Sequence, residues 1–368
     1  MYIILTQCFP SRLGGIESLV SNLALNLGES GEVLVLADRH NFFQDSIFDI
    51  KNQDKITIRR YGGIKFFRRR KKVKELDYII KSKKVEYVIA DTWKSIELCA
   101  DNLIRNKIPI ICLAHGNELL ANIEKKKKRI VSNLSKSSII IANSKFTSNL
   151  VNELINDEKK IKVVYPGAND LRSIESDKSL IINGHPILLT LSRLEKRKGH
   201  VLILRAINKL IKIFPNIKYV IAGEGEEKKN LINFVNINKL NNNVIFVGNV
   251  NDKQKKQLFD HTKLMIMPTL DESENRSIEG FGIAYIEAAF FGIPSIASNV
   301  GGTPEAVIND NTGIIINKDE DLFKVLENLL SNEKKLIDLG EKAKERAINS
   351  FTWEKVARKY ILAIKNNN

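Results

Sequence analysis

SIEGFGIAYIEAAFFGIPSIAS, residues 277–298, decides how the chain is read. Glu279 and Glu287 stand eight residues apart in it, with the glycine turn Gly280-Phe281-Gly282 between them. After the turn, Ile283, Ile286, Ala289 and Phe290 recur at helical spacing, so a helix is expected to start near Gly282. Gly292-Ile293-Pro294 stops it, and 293–297 reads as a short buried strand. A loop feeding a helix presents backbone N–H groups without helical partners, together with the positive end of the helix dipole. Gly280, Phe281, Gly282 and Ile283 are therefore expected to meet an anion or sugar hydroxyls, with Glu279 at the mouth and Glu287 deeper along the helix. The same residues also suit a plain turn before a surface helix.

Strand-sized apolar runs alternate with helical patterns along the whole chain. In the first half they fall at 2–7, 33–37, 56–60, 85–90, 108–114, 139–143 and 161–164. In the second half they fall at 187–191, 217–222, 244–247, 264–268, 293–297 and 314–316. Such alternation specifies an α/β chain with parallel, doubly wound sheets, whose ligands bind at the carboxyl ends of strands. Residues 169–185, NDLRSIESDKSLIINGH, are polar and irregular and read as a linker between a domain at 1–168 and a second at 186–350. Helices are expected over 320–349, and a terminal helix within 351–368.

Several polar residues stand where such sheets bind ligands. Gly14 and Gly15 end the loop FPSRLGG between the first strand and a helix over 16–27. Without a third glycine this is not a dinucleotide fingerprint, but the two amides could approach a phosphate. His115, in His115-Gly116-Asn117-Glu118, follows the strand at 108–114. Ser192-Arg193-Leu194-Glu195-Lys196-Arg197-Lys198-Gly199 is a strongly basic loop between a strand and a helix expected over about 200–214, suited to clamping a diphosphate. Gly223-Glu224-Gly225 follows the strand at 217–222.

Composition excludes several classes. A hydrophobic fraction of 43% is that of a soluble globular protein, and no apolar run is long enough to cross a membrane. No basic leader or cleavage site precedes the first strand, so a cytoplasmic protein is expected. Cys8, Cys99 and Cys112 are odd in number and lack metal spacing, which reads as reduced thiols. The formal charge is +15, and residues 1–168 hold 29 Lys and Arg against 18 Asp and Glu. The excess gathers in KFFRRRKKVK, Lys65 to Lys74, and in KKKKR, Lys125 to Arg129. The first run carries two phenylalanines and suits an anionic membrane surface or a merely solvated face. No nucleic-acid motif accompanies either run.

EGFGIAYIEAAFFGIPSIAS and the GGTPE after it resemble the Glu-x7-Glu region of the retaining nucleotide-sugar glycosyltransferases of family 4. GGIE from Gly14, HGNE from His115, Asn143-Ser144, Pro166-Gly167, SRL-x4-KG and the Gly223 turn resemble further motifs of that family, in order, over almost the whole chain. The resemblance implies two Rossmann-like domains facing across a cleft (the GT-B arrangement), with the terminal helix returning to the first. It further implies Arg193 and Lys198 as diphosphate ligands, Glu279 on the sugar hydroxyls, Glu287 on the ribose, and His115 near the donor sugar. The wording is closest to the phosphatidylinositol mannosyltransferase-like branch, which makes GDP-mannose the first choice of donor, with UDP-sugars open. The expected reaction moves a hexose to a hydroxyl of a lipopolysaccharide, lipid-linked or other cell-envelope glycan, at the inner face of the membrane through Lys65 to Lys74. It proceeds with retention, without a metal ion or other cofactor. Cys8 stands where some relatives carry a polar or acidic residue, which leaves the acceptor base undefined. A sugar-nucleotide epimerase of the same fold and a nucleotide-binding protein without activity are the alternatives.

Overall fold

The computed structural model describes residues 1–317 and 321–365, in two compact units: residues 1–167 with 353–365, and Ala168–Thr352. The first unit holds β1 (Tyr2–Thr6), α1 (Gly15–Gly28), β2 (Val33–Asp38), α2 (Phe42–Asn52), β3 (Thr57–Tyr61), α3 (Lys65–Ser82), β4 (Tyr87–Ala90), α4 (Trp93–Ile96), α5 (Ala100–Arg105), β5 (Ile110–Ala114), α6 (Glu124–Ser135), β6 (Ile139–Ala142), α7 (Lys145–Ile155) and β7 (Ile161–Val163). The second holds β8 (Ile187–Leu191), α8 (His200–Leu210), β9 (Lys218–Ala222), α9 (Lys228–Ile237), β10 (Val244–Gly248), α10 (Asp252–His261), β11 (Leu264–Met267), α11 (Ile283–Phe290), β12 (Ser295–Ser298), α12 (Thr303–Ala306), β13 (Gly313–Ile316), α13 (Leu322–Leu330) and α14 (Glu333–Ser350). The last helix, α15 (Trp353–Lys365), belongs to the first unit and packs on α1. Residue 320, where the helical stretch was expected to begin, and residues 366–368 lie outside the described residues.

Every expected strand forms, with ends shifted by one or two residues in most cases. Pro109 and Pro294 delay entry into β5 and β12, because proline has no N–H to give the ladder. Helix α8 stops at Leu210 instead of Phe214; residues 211–213 continue as turns, and Pro215 keeps Phe214 from helical backbone.

The first sheet runs β3-β2-β1-β4-β5-β6-β7, all parallel. Consecutive residues serve opposite faces. Ile4, Val35, Ile89 and Ile111 pack with α1 and α15, while Ile3, Leu34, Val88 and Ile110 pack with α3, α5, α6 and α7. Burial on both faces is why these strands read as unbroken apolar runs. The second sheet runs β10-β9-β8-β11-β12-β13, also parallel, with Leu188, Tyr219, Leu264 and Ile296 packed with α8, α9, α13 and α14. Fully burying each such aliphatic side chain contributes about 1.5–3 kcal/mol. The stretch expected as a linker has no regular structure but is tied to α10, through Asp177 N to the Lys253 carbonyl at 3.1 Å and Leu180 N to Gln257 Oε1 at 3.2 Å.

Strand order reverses between β1 and β4 in the first sheet, and between β8 and β11 in the second. At such points the loops leaving two adjacent strands diverge to opposite faces and open a crevice at the strands' carboxyl ends. Among the described residues, no helix is long and apolar enough to cross a membrane.

Candidate active site

The loop after β8 and the loop after β11 meet at the switch point of the second sheet. Leu270 N donates to the Arg197 carbonyl at 2.7 Å, fastening the two together. Their charged side chains alternate in one chain of contacts. Arg193 Nη1 lies 2.6 Å from Glu195 Oε1. Arg197 Nε donates to Glu195 Oε2 at 3.0 Å, and its Nη1 to Glu279 Oε2 at 2.6 Å. Lys198 Nζ donates to the same Glu279 oxygen. Three cations against two carboxylates leave the network one positive charge in excess.

Arg197 and Lys198 are buried, whereas the Arg193 side chain is 68% exposed. Burial alone would raise the Glu279 carboxyl, but the Lys198 ammonium and the Arg197 guanidinium overcome it and hold it at about 2. Burial lowers Lys198, and Glu279 only partly offsets this. The sequence reading brought forward Arg193, Lys198 and Glu279. The fold joins Lys198 to Glu279 and adds Arg197, which the SRL-x4-KG pattern passes over.

Two glycines set this geometry. Gly223 has φ +136°, and a Cβ there would stand 1.9 Å from the Ser192 carbonyl oxygen. The Gly223-Glu224-Gly225 turn therefore braces the Arg193 loop from behind, with Leu194 N donating to the Glu224 carbonyl at 3.0 Å. Gly301, at φ +60°, leaves room for the Glu279 carbonyl, which a Cβ would approach to 2.2 Å. Gly302 N donates to that same carbonyl at 2.9 Å. GGTPE thus holds the backbone of Glu279.

Helix α11 starts one residue after Gly282, as its sequence predicts, and no side chain caps it. Gly280 and Gly282 are buried and Ile283 is half-buried. The Phe281 ring is buried, 5.8 Å from the ring of Phe351. Only its backbone is left for a ligand. Glu287 is buried, and Lys255 Nζ of α10 reaches its Oε1 at 3.0 Å. Burial opposes the charge on Lys255, but Glu287 and then Asp252 outweigh it and raise the ammonium. No sequence signal marked Lys255, which sits in a helix dense with charges.

Behind the basic loop, His200 opens α8. Its Nδ1 lies 2.9 Å from the Tyr219 hydroxyl and its Nε2 3.3 Å from Ser192 Oγ. The Tyr219 hydroxyl reaches Thr190 Oγ1 at 2.9 Å, and Thr190 donates to the Ile266 carbonyl. That carbonyl takes the threonine proton, so Tyr219 donates to Thr190 and His200 Nδ1–H donates to Tyr219, which leaves Nε2 unprotonated beside a Ser192 hydroxyl that donates to the Arg193 carbonyl at 3.1 Å. Burial, and then Lys198, lower the imidazole to about 4.

The switch point of the first sheet is organised by Asp91, a buried residue that sequence reading missed although it ends a parallel strand. Its carboxylate accepts from Gln7 N at 2.7 Å, Cys8 N at 3.2 Å and Ser95 Oγ at 2.5 Å. The Asp91 carbonyl, an acceptor, lies 2.8 Å from His115 Nε2, which must therefore carry the proton. His115 N donates to Glu118 Oε1 at 2.7 Å, and Asn143 Nδ2 to the His115 carbonyl at 3.3 Å. Gly14 and Gly15 lead into α1, where Glu17 is paired with Arg12 at 2.9 Å. Burial, and then Asp91 and Glu17, push the Cys8 thiol up to about 12, so it is no base at neutral pH. Among the described residues, no group of three or more His, Cys, Asp or Glu is placed to hold a metal ion.

The basic run at Lys65 to Lys74 is only partly available for a surface. Lys72 is buried against Asp38 at 2.6 Å, Arg68 reaches the other Asp38 oxygen at 2.8 Å, and Arg69 pairs with Glu97 at 2.9 Å. Lys65, Arg70, Lys71 and Lys74 remain exposed.

Residues 13–171 match the Glycosyltransferase Family 4 domain and residues 172–346 match Glycosyl transferases group 1. The chain is 23% identical to the GDP-mannose-dependent monoacylated alpha-(1-6)-phosphatidylinositol monomannoside mannosyltransferase of Corynebacterium glutamicum, over 96% of this chain and 94% of that protein. It is 22% identical to the N-acetyl-alpha-D-glucosaminyl L-malate synthase of Bacillus anthracis, over 96% and 94% of the two chains. Its fold is similar to that of Anabaena Alr3699/HepE, solved in complex with UDP and glucose, with a TM-score of 0.81 over 99% of each chain at 18% identity. With both domain families matched in order from residue 13 to residue 346, the chain belongs to the two-domain, GT-B glycosyltransferases of family 4.

Proposed function

We propose that this glycosyltransferase moves a hexose, mannose in the first instance, from a nucleotide-sugar donor to a hydroxyl of a lipopolysaccharide, lipid-linked or other cell-envelope glycan, with retention at the anomeric carbon. The observation that carries the reading is the Arg193–Glu195–Arg197–Glu279–Lys198 network at the switch point of the second sheet. A site in which three cations alternate with two carboxylates, with a net positive charge, suits a ligand that is a diphosphate at one end and a polyol at the other.

In the reaction, the bond from the anomeric carbon to the phosphate oxygen breaks. A bond to the acceptor oxygen forms on the same face, and the acceptor proton passes to the departing phosphate. Exposed Arg193 and buried Lys198 stabilise the charge that grows on the diphosphate, together with the amides around Gly282 and Ile283. Protein cations supply that charge, so no metal ion is required. Glu279 holds sugar hydroxyls, and Glu287, oriented by Lys255, holds the ribose. The braced turn at Gly223 keeps the Arg193 loop in place. The first unit is assigned the acceptor, while its His115 is assigned to the donor sugar and its Gly14 and Gly15 amides to the donor diphosphate.

The Corynebacterium relative favours GDP-mannose as donor, and the UDP-bound Anabaena structure keeps UDP-sugars as the second choice. The enzyme works in the cytoplasm at the inner face of the membrane, where its exposed basic residues meet anionic lipid. The test is transfer of labelled mannose from GDP-mannose into a membrane extract, with the anomeric configuration of the product read by NMR. An α-linked product supports the proposal. An inverted product, or a free epimerised nucleotide sugar without acceptor, contradicts it.

A further inference from the structure

Helix α2 is amphipathic in the reverse of the usual sense. Its polar face points into the protein. The Asp45 carboxylate is buried, accepting from Ser11 Oγ at 2.8 Å and His40 N at 2.9 Å, with Arg60 Nη1 3.3 Å away. Asp49 takes a two-pronged contact from Arg60, at 2.8 Å from Nε and 2.7 Å from Nη2. Phe48, on the same side, packs edge-on against Phe9 at 5.5 Å. The other side is apolar and bare: Phe42 is 70% exposed, Phe43 74%, Ile47 56% and Ile50 65%. Positions 43, 47 and 50 follow helical spacing, so these side chains form one stripe.

A second apolar strip lies beside the start of this helix. Arg39 N donates to the Tyr61 carbonyl at 2.8 Å, which joins the ends of β2 and β3. The loop leaving β3 then exposes Ile64, Phe66 and Phe67. Cations lie on the rings of both strips, Arg39 over Phe42 at 4.9 Å and Arg70 over Phe66 at 3.4 Å. Between residues 39 and 53 the only acids are Asp45 and Asp49, both turned to Arg60. Between 62 and 74 there are none.

We propose that the outer face of α2, continued by the first turn of α3, docks on a lipid bilayer bearing anionic headgroups. Apolar side chains reach the acyl boundary, while Arg39, Lys65, Arg70 and Lys71 stay at the level of the phosphates. Cations lying over apolar rings, with no exposed acid among them, match a surface that stacks anionic groups over hydrocarbon. Both strips lie at the carboxyl ends of the strands, the same end as the 9–14 loop and His115, so docking would bring a lipid-borne acceptor to the edge of the site. The inference rests on the reading of Lys65 to Lys74 as an anionic-surface contact. It differs in making α2, outside that run, the inserted element.

The test is sedimentation of the full chain with vesicles of phosphatidylcholine alone or with about one third phosphatidylglycerol, beside nucleoside diphosphate binding as a control for folding. Phe43→Ser/Ile47→Ser/Ile50→Ser should weaken partitioning to the anionic vesicles by roughly tenfold or more, given the apolar area removed, and leave nucleotide binding unchanged. Phe43→Trp should show a blue-shifted emission on those vesicles. Wild-type partitioning by the triple variant, with loss only in Lys65→Ala/Arg70→Ala/Lys71→Ala, overturns the role of α2 and leaves the basic run standing. If the unaltered chain binds no vesicle, both readings fall. If the unaltered chain is a dimer that the triple variant dissolves, the face belongs to a second copy and the proposal is wrong.

Discussion

Arg197 and Glu279 lie 82 positions apart in the sequence and 2.6 Å apart in the fold. The contact locks the loop after β8 to the loop after β11, and Lys198 completes it from the other side. The carboxylate holds two buried cations in place, and in the proposed reaction it also receives the sugar hydroxyls. Glu279→Gln removes the charge and leaves Arg197 and Lys198 without their counter-ion. Breaking a buried pair in this way costs about 3 kcal/mol or more, so the melting temperature should drop by several degrees. Turnover should fall by roughly ten- to a thousand-fold, the usual range for one positioned electrostatic group. Affinity for the bare nucleoside diphosphate should not weaken, because the cations that meet it are freed. Titration calorimetry showing a weakened diphosphate would reassign Glu279 to the nucleotide.

Arg193 separates function from stability more cleanly. Its side chain is exposed and its one ion pair, to Glu195, lies in solvent reach, so it adds little to folding. Arg193→Ala should keep the melting temperature within about 1 °C while lowering kcat/KM roughly a hundredfold, as for loss of one charge-stabilising donor. Steady-state kinetics and a thermal scan on the same preparation read both. Unchanged kinetics would remove Arg193 from the clamp.

His200 makes the second unit sensitive to acid. Burial and Lys198 lower its imidazole to about 4, whereas the unfolded chain takes up the proton near the ordinary value of 6.5. Between those values the unfolded state binds more protons, so stability falls as pH falls from 6.5 to 4, by up to about 3 kcal/mol. Glu279, held at about 2 against an ordinary value of 4.5, loses its contribution on the next limb, below pH 4.5. Thermal midpoints between pH 7 and pH 4.5 should therefore decline, and His200→Gln should flatten the decline. An equal slope in the variant would show that another group governs it.

If Arg193, Arg197 and Lys198 neutralise the diphosphate as proposed, no metal ion is needed. Turnover in EDTA should equal turnover in magnesium. Loss in EDTA, restored by magnesium or manganese, would mean that the donor's phosphates need a cation this network does not supply.

The sheets were legible because central parallel strands buried on both faces, such as β1, β2 and β6, are nearly continuous apolar runs, whereas the edge strands β3 and β7 are only partly buried and carry that signal weakly. Glu279 and Glu287 stand out in the sequence by their place around a loop-to-helix turn, and Arg193 and Lys198 by their basic loop and its resemblance to the SRL-x4-KG motif. Asp91, Arg197 and Lys255 were not, since each takes its meaning from a partner brought near only by the fold: Gln7 and Cys8, Glu279, and Glu287. Helix α2 shows the same limit in reverse. Phe42, Phe43, Ile47 and Ile50 have the pattern of a buried stripe, and only the Arg60 contacts with Asp45 and Asp49 show which side faces inward.

The most direct test of the central claim, a nucleotide-sugar site built on the Arg193–Lys198 loop, is a thermal-shift panel of GDP-, UDP- and ADP-sugars on the unaltered chain and on Arg193→Ala. A ligand at a hundred times its dissociation constant stabilises the folded state by about 2.7 kcal/mol. At least one nucleotide sugar, GDP-mannose first, should raise the unaltered chain's midpoint by about 2 °C or more, and the rise should shrink in the variant. No rise with any member of the panel, or an equal rise in both proteins, would contradict the account.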